Sequence, residues 1–316
     1  MTRITAVLPQ SARALIEPHL DDGIDAHWFA SAEEAFALAP RAEIGWLDLP
    51  LPGLVGQAIG LGERLKWAFT VYAGLDAFPL EALRDRGTVL TNGAGLNAIP
   101  VAEYAVMGVL AAAKRIDHVV RAQDRRDWLA VAPGTAELFE SKALIIGYGA
   151  IGALIGERLK AFGVSVTGVR RSRSDDPAII GPDDWRARLG EYDWIILAAP
   201  STSETRAMLG DAEFAAMKSS AWLINIARGD MIDQEALLSA MARKQLGGAF
   251  LDTVSPEPLP TESPLWTAPD VMVTMHLSGR SQTRLFERAA VRFLENLALY
   301  RAGQPLRHEV DLVRGY

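Results

Sequence analysis

The sequence predicts an α/β protein built as two doubly wound, parallel-sheet domains. Three observations predict it. From about residue 140 to 276, short apolar runs alternate with helical patterns, the order of a parallel βαβ series. Several of those runs are apolar nearly throughout rather than at every second residue, as strands covered on both faces must be. The first of them feeds directly into GYGAIG, Gly147 to Gly152, a glycine loop that opens a helical pattern. A chain of 316 residues has room for two such domains.

Taken in order, the first hundred residues carry the weaker series RITAVLP, IDAHWFA, EIGWLDL, LKWAFTV and GTVLT. With alanine-rich helical stretches between some of them, they read as a smaller α/β domain. A long helix is expected from about Pro100 to Arg121, proline being suited to the first helical turn. The second series is ALIIG (143–147), VSVTGV (164–169), DWIILAA (193–199), AWLINIA (221–227), GAFLD (248–252) and VMVTM (271–275). Between its first two runs, Ile151, Leu154, Ile155, Leu159 and Phe162 recur at helical spacing, and Gly163 follows as a stop. The segment 283–303 reads as one last helix with no strand left to feed, able to return to the first domain and make it discontinuous. No internal repeat or low-complexity tract interrupts the chain.

Composition narrows the chemistry. The net charge of -7 argues against a nucleic-acid or anionic-membrane partner. The chain has no cysteine, so disulfides, thiol catalysis and Cys-ligated metal centres are excluded, and no metal is expected elsewhere. The longest apolar run, YAVMGVLAAA, sits between Glu103 and Lys114 and is too short for a membrane helix of about 18 residues or more. The N-terminus reads as a first strand rather than a secretory signal, and a cytoplasmic location is expected.

The glycine loop suggests a dinucleotide. Gly147 closes a strand, Gly149 lets backbone approach a pyrophosphate, and Gly152 lets the helix pack on the sheet. The helix N-terminus then offers unbonded N–H groups and partial positive charge to phosphate. Glycines at this spacing also serve ligand-free turns, so the strand and helix on either side matter. About twenty residues on, an acid normally holds the ribose 2′-hydroxyl of NAD. Here GVRRSRSDD puts Arg170, Arg171 and Arg173 at and beyond that point. An arginine there pairs with a 2′-phosphate through charge-assisted hydrogen bonds, so NADP is the preferred cofactor and NAD the alternative. A solvated surface patch is the other use of such a cluster.

In open α/β sheets ligands bind beyond the carboxyl ends of the strands. The residues just past each run are Pro200-Ser201-Thr202, then Arg228-Gly229-Asp230, then Asp252 with Glu257 in a proline loop, then His276. Of the five histidines only His276 comes directly after a strand of this sheet. An Arg, an acid and a His converging beside a dinucleotide loop suit hydride transfer to a carbonyl acid. Singly, Arg228 could cap a sheet edge or pair with Asp230, and Glu257 could lie in plain surface.

With these residues assembled, the chain resembles the D-isomer-specific 2-hydroxyacid dehydrogenase family nearly end to end. The resemblance is carried by VYAGLDAFP (71–79), NAIPVAE (97–103), IIGYGAIG, APSTSETRAML (199–209), LINIARGDMID (223–233), GAFLDTVSPEPLP (248–260) and TMHLSG (274–279). It implies a Rossmann coenzyme domain, 101–284, inserted in a flavodoxin-like catalytic domain, 1–100 plus 285–316. It also implies homodimers formed largely through the coenzyme domain. His276 is then the expected general acid/base, Glu257 its carboxylate partner and Arg228 the anchor of the substrate carboxylate. The Ala73-Gly74 backbone is the expected second carboxylate cradle.

Cofactor contacts are expected from Gly147, Tyr148, Gly149, Ala150, Ile151 and Gly152, and from Arg170, Arg171 and Ser172. Ala199, Pro200, Thr205, Ile226, Ala227, Ser278 and Gly279 complete them, with Asp252 holding the nicotinamide amide. Two departures stand out: Arg170 replaces the usual acid, and Met275 stands where many members have proline.

The expected reaction is NADP(H)-dependent reduction of a small 2-oxo acid, of glyoxylate or hydroxypyruvate type, to the D-2-hydroxy acid. The alternatives are a dinucleotide-sensing corepressor on the same scaffold and an NAD-dependent dehydrogenase of another 2-hydroxy acid. A formate dehydrogenase-like activity pairs its histidine with glutamine, whereas the matching residue here is Glu257. Trp46, Tyr72 and Leu75 are possible pocket-lining residues whose orientation the sequence does not specify.

Overall fold

The computed structural model describes residues 3–172 and 174–313. In chain order its main elements begin with β1 (Ile4–Pro9), α1 (Arg13–Ile16), β2 (Ile24–Phe29), α2 (Ala32–Leu38), β3 (Ile44–Trp46) and α3 (Pro52–Leu61). There follow β4 (Trp67–Phe69), α4 (Leu80–Arg86), β5 (Val89–Thr91), α5 (Ala98–Lys114) and α6 (Ile116–Arg125). The second series is β6 (Lys142–Ile146), α7 (Ala150–Ala161), β7 (Ser165–Val169), β8 (Ile179–Ile180) and β9 (Trp194–Leu197). It continues through α8 (Asp211–Ala216), β10 (Trp222–Asn225), α9 (Gln234–Ala242), β11 (Gly248–Leu251), β12 (Val271–Val273) and α10 (Leu285–Arg301).

The chain separates into two compact units: Met1–Asn97 with Gln282–Tyr316, and Ala98–Ser281. The first holds a five-stranded sheet in the order β2-β1-β3-β4-β5, every pair parallel. One face is packed by Val7, Leu47, Ala68 and Leu90, the other by Leu8, Trp46, Trp67 and Phe69. α10 covers the second face: Phe293 stacks on Trp67 with ring centroids 5.0 Å apart, and Ala289, Ala290 and Leu297 join the same core. Trp46 lies inside this aromatic cluster and Leu75 is buried, so neither is available to line a pocket; only Tyr72 is partly exposed.

The second unit is a seven-stranded sheet in the order β12-β11-β10-β9-β6-β7-β8, again parallel throughout. Successive residues of its central strands go to opposite cores. Leu144 and Ile146 join one cluster while Ala143 and Ile145 join the other, and Ile195 and Leu197 oppose Trp194 and Ile196 in the same way. That two-sided burial is why these strands read as continuous apolar runs.

Two details depart from the sequence reading. The single helix expected over Pro100–Arg121 is two helices, because Arg115 takes a left-handed φ of 51° between them. Its guanidinium pairs with Asp117 at 3.3 Å and Asp270 at 2.5 Å, and lies 5.4 Å from the Trp222 ring centroid. Those contacts outweigh the cost of about 1–2 kcal/mol for a non-glycine residue in that region. The edge strand β8, two residues in a loop rich in Pro and Asp, is too short to leave a periodic trace.

Candidate active site

Because all strands of the second sheet are parallel, their carboxyl ends share one edge, and the loops leaving that edge carry the predicted side chains. The loop after β6 is shaped by close approach. Gly147 has φ 102°, and a Cβ on it would lie 2.3 Å from the Ala199 nitrogen. A Cβ on Gly152 would lie 2.3 Å from the Gly147 carbonyl oxygen. The N–H groups of Gly147 and Tyr148 both donate to the Val169 carbonyl, at 3.0 and 2.8 Å. A Cβ on Gly149 would meet nothing within 4 Å, so the loop is open there.

The first helical bond of α7 runs from Ala153 N to Gly149 O, at 2.9 Å. Among the described residues, the N–H groups of Gly149, Ala150, Ile151 and Gly152 make no hydrogen bond. Four unbonded donors at the start of a twelve-residue helix, beside open space, fit a pyrophosphate. The ring of Tyr148 packs against Gly156 and Gly168, so this residue contributes only its backbone to the loop.

At the end of β7, Arg170 turns its Nε and Nη2 onto Ser172 Oγ, at 2.8 and 2.6 Å. Arg171 Nη2 lies 3.0 Å from Glu204 Oε2, both side chains being largely exposed. Arg173 lies outside the described residues. Across the edge after β9, Thr205 Oγ1 donates to the Pro200 carbonyl and accepts from Thr202 N, both at 2.8 Å. This pins the 199–205 loop.

Arg228 leaves β10 beside a fully buried asparagine. Asn225 Nδ2 donates to the Arg228 carbonyl at 2.9 Å, and its Oδ1 accepts from Ala227 N at 3.0 Å. Ile226 and Ala227 are buried. Arg228 itself is partly buried, with Nη1 donating to the Ala227 carbonyl at 2.8 Å. A Cβ on Gly229 would lie 1.9 Å from the Val254 carbonyl carbon, so the Arg228 loop presses directly on the loop that carries Glu257. The sequence reading does not single out Asn225, although a polar residue closing the run WLIN is its visible signal.

His276 Nδ1 lies 2.7 Å from Glu257 Oε2, and the other carboxylate oxygen accepts from Val254 N at 3.2 Å. Burial alone would raise the Glu257 carboxyl. The bond to and charge of His276, the Val254 N–H and the Arg228 charge outweigh it and hold the group below its usual range. With Nδ1 engaged, Nε2 is the ring nitrogen left to exchange a proton.

His276 sits on an unusual turn. Met275 and His276 have φ of 57° and 54°, two consecutive non-glycine residues in the left-handed region. Proline, confined to φ near -65°, cannot take the conformation that Met275 has here. Asp252 stabilises the turn: its Oδ1 accepts from Thr274 Oγ1 at 2.8 Å and Leu277 N at 2.9 Å, and its Oδ2 from Ser278 N at 3.2 Å. The backbone oxygen of Asp252 accepts from His276 N at 2.6 Å. Asp252 is fully buried and Ser278 nearly so. In this conformation the Asp252 carboxylate is committed to the His276 turn rather than turned to solvent, and Thr274 is a second polar residue that the sequence reading does not single out.

Ala73 and Gly74 belong to the other unit, in the loop after β4. Among the described residues, their N–H groups make no hydrogen bond, while Ala73 O accepts from Asn92 Nδ2 at 3.3 Å. Two neighbouring unbonded donors suit an anion.

A seven-stranded doubly wound sheet with a glycine loop, and a His–Glu pair near an arginine at the same sheet edge, defines a dinucleotide-dependent oxidoreductase. Sequence comparison agrees. The family model for D-isomer-specific 2-hydroxyacid dehydrogenase, NAD-binding domain, matches residues 106–278, more than half of the chain. Glyoxylate/hydroxypyruvate reductase A of Salmonella heidelberg (strain SL476) is 31% identical over 274 residues, covering 81% of this chain and 83% of that protein. A D-isomer-specific 2-hydroxyacid dehydrogenase family protein from Aeromonas salmonicida superposes with a TM-score of 0.86 at 28% identity, over 99% of this chain and 100% of that one. At 22% identity, D-lactate dehydrogenase of Lactobacillus jensenii shares the fold, with a TM-score of 0.76 over 98% of this chain and 100% of that one. The chain belongs to the D-isomer-specific 2-hydroxyacid dehydrogenase family, as an NAD(P)-dependent oxidoreductase.

Proposed function

We propose that the protein reduces a small 2-oxo acid, of glyoxylate or hydroxypyruvate type, to the D-2-hydroxy acid, with NADPH preferred over NADH. The observation that carries this reading is the His276 Nδ1–Glu257 Oε2 contact of 2.7 Å on the same sheet edge as Arg228. The similarity to glyoxylate/hydroxypyruvate reductase A supports the substrate class.

The dinucleotide, when bound, supplies the hydride. The chain supplies the rest. Arg228 holds the substrate carboxylate through two parallel hydrogen bonds and draws charge from the carbonyl. The N–H groups of Ala73 and Gly74 serve as a second carboxylate-binding element. His276 gives the proton on Nε2 to the developing alkoxide, and Glu257 orients the ring through Nδ1 and stabilises its positive charge. Gly149 to Gly152 receive the pyrophosphate, and Arg170, Ser172 and Arg171 receive the 2′-phosphate. The Arg171–Glu204 pair is no obstacle, since an exposed ion pair is worth about 0–1 kcal/mol.

The same reading makes the protein a cytoplasmic homodimer that associates through the coenzyme unit. Trp128 and Val131 of that unit are 94% and 79% exposed and line one open groove together with Leu129, a cluster of apolar side chains that suits a subunit contact. Among the described residues no helix is long and apolar enough to cross a membrane. Assaying glyoxylate, hydroxypyruvate and bulkier 2-oxo acids with each reduced cofactor tests the reading; turnover of none of them would overturn it.

A further inference from the structure

The loop that carries Ala73 and Gly74 is built around a carboxylate that the reaction itself does not use. β4 ends at Phe69, and Thr70 N makes the last sheet-like bond, to Thr91 O at 3.1 Å. The next two N–H groups are taken by side chains. Val71 N donates to Asp48 Oδ2 at 2.7 Å. Tyr72 N donates to Thr70 Oγ1 at 3.2 Å, and the Thr70 hydroxyl in turn donates to Asp48 Oδ1 at 2.6 Å. On the other side of the loop the carbonyls are taken: Gly93 N donates to Tyr72 O at 3.0 Å, and Asn92 Nδ2 to Ala73 O at 3.3 Å. A Cβ on Gly93 would lie 1.8 Å from the Val71 carbonyl oxygen, so the two loops are pressed together. Among the described residues, the donors this scheme leaves over are the N–H groups of Ala73 and Gly74 and of the Leu75 beside them.

Asp48 is itself immobilised. Trp46 Nε1 donates to Asp48 Oδ2 at 2.7 Å, and the Trp46 ring is locked edge-on against Phe69 with centroids 4.9 Å apart. Three donors converge on this partly buried carboxylate, and among the described residues no cation lies within ion-pair distance of it. A desolvated charge without a counter-ion is a costly way to satisfy a loop. Its carboxylate ties Trp46 of β3, Thr70 at the end of β4 and Val71 at the start of the 71–74 loop together.

We propose that Asp48 is a positioning residue for the carboxylate cradle. By fixing Thr70 and Val71 it sets where the Ala73 and Gly74 N–H groups stand, and so sets the affinity for the 2-oxo acid without touching it. This rests on the reading of Ala73 and Gly74 as a carboxylate-binding element, and the experiment separates the two.

The test is steady-state kinetics with glyoxylate and NADPH, with calorimetric binding of oxamate, a non-reacting 2-oxo acid mimic, and a thermal melt for every variant. Asp48→Ala should raise the glyoxylate KM and the oxamate Kd about tenfold or more, with kcat within about threefold and the NADPH KM unchanged. Asp48→Asn should restore both constants to within about threefold. Its side-chain oxygen can take the bonds from Val71 and Trp46 that Asp48 Oδ2 accepts, and its Nδ2, in the place of Oδ1, donates to the Thr70 hydroxyl, which accepts as readily as it donates. Should Asp48→Ala not fold, Thr70→Val removes the link between Asp48 and Tyr72 and should raise the same two constants. A folded Asp48→Ala, or Thr70→Val in its place, with both constants unchanged overturns the inference. Gly74→Pro, which deletes one cradle donor, tells the two claims apart. If it weakens both constants while Asp48→Ala does not, the cradle stands and Asp48 has no part in it. If a folded Gly74→Pro also changes neither, the cradle reading itself falls.

Discussion

His276 and Glu257 face each other across 2.7 Å, from loops that leave different strands of one parallel sheet. His276 helps hold the Glu257 carboxyl below its usual range. Replacing His276 with Ala should lower kcat by about a hundredfold or more. Glu257→Gln should lower kcat by about tenfold or more, because a neutral amide loses the charge-assisted bond that the carboxylate makes to the ring at Nδ1. An unchanged kcat would show that the pair does not act as a unit.

Arg228 is held from behind, its carbonyl by Asn225 and its guanidinium by the Ala227 carbonyl. Arg228→Ala should cost about a hundredfold or more in kcat/KM for the 2-oxo acid, and lysine should recover only part of it, since it lacks the planar fork. The KM for the cofactor should be unchanged. An equal loss for both substrates would point to a collapsed loop instead of a lost anchor.

Arg170 and Ser172 are already in contact, and Arg171 pairs with an exposed glutamate. The double variant Arg170→Ala/Arg171→Ala should lower kcat/KM with NADPH by about tenfold to a hundredfold, as expected for charge-assisted bonds of about 1.5–3 kcal/mol. The value with NADH should stay within about threefold. Arg170 should contribute more than Arg173, whose single variant is the natural control.

Burial pushes the Asp48 carboxyl up to about 6, against the bonds from Thr70, Val71 and Trp46 that pull it down. A carboxyl whose folded value exceeds its unfolded one favours the fold at low pH, and that contribution is lost as pH rises through the folded value. Melting temperatures should therefore separate: Asp48→Asn should match the wild type near pH 4 and exceed it near pH 8. A variant less stable at both would mean that the ionised form is preferred in the fold.

Trp128 is the most exposed large apolar side chain described, at 94%. Trp128→Glu should shift the protein from dimer towards monomer in light scattering at micromolar concentration. A wild type that is already monomeric there would refute the dimer reading.

Much of this is legible in the sequence because burial on both faces writes strands as apolar runs, and a parallel sheet then puts the site at their carboxyl ends. His276, Glu257 and Arg228 can be placed that way from the chain alone. What the sequence hides depends on single side chains reaching across the fold. The break at Arg115 rests on Asp270, 155 positions away in the chain. Asp252 carries no local sign that its carboxylate is spent on the His276 turn. Asp48 lies in LDLPLP, where nothing in the local pattern signals a partner near residue 70.

The most direct measurement is the initial rate of oxidation of NADPH and of NADH by the wild-type protein with glyoxylate and with hydroxypyruvate, recorded side by side. Turnover of at least one of these acids is expected, with kcat/KM for NADPH exceeding that for NADH by about tenfold or more. Equal use of the two cofactors would return the arginines after β7 to the surface, and no oxidation of either would contradict the proposed reaction.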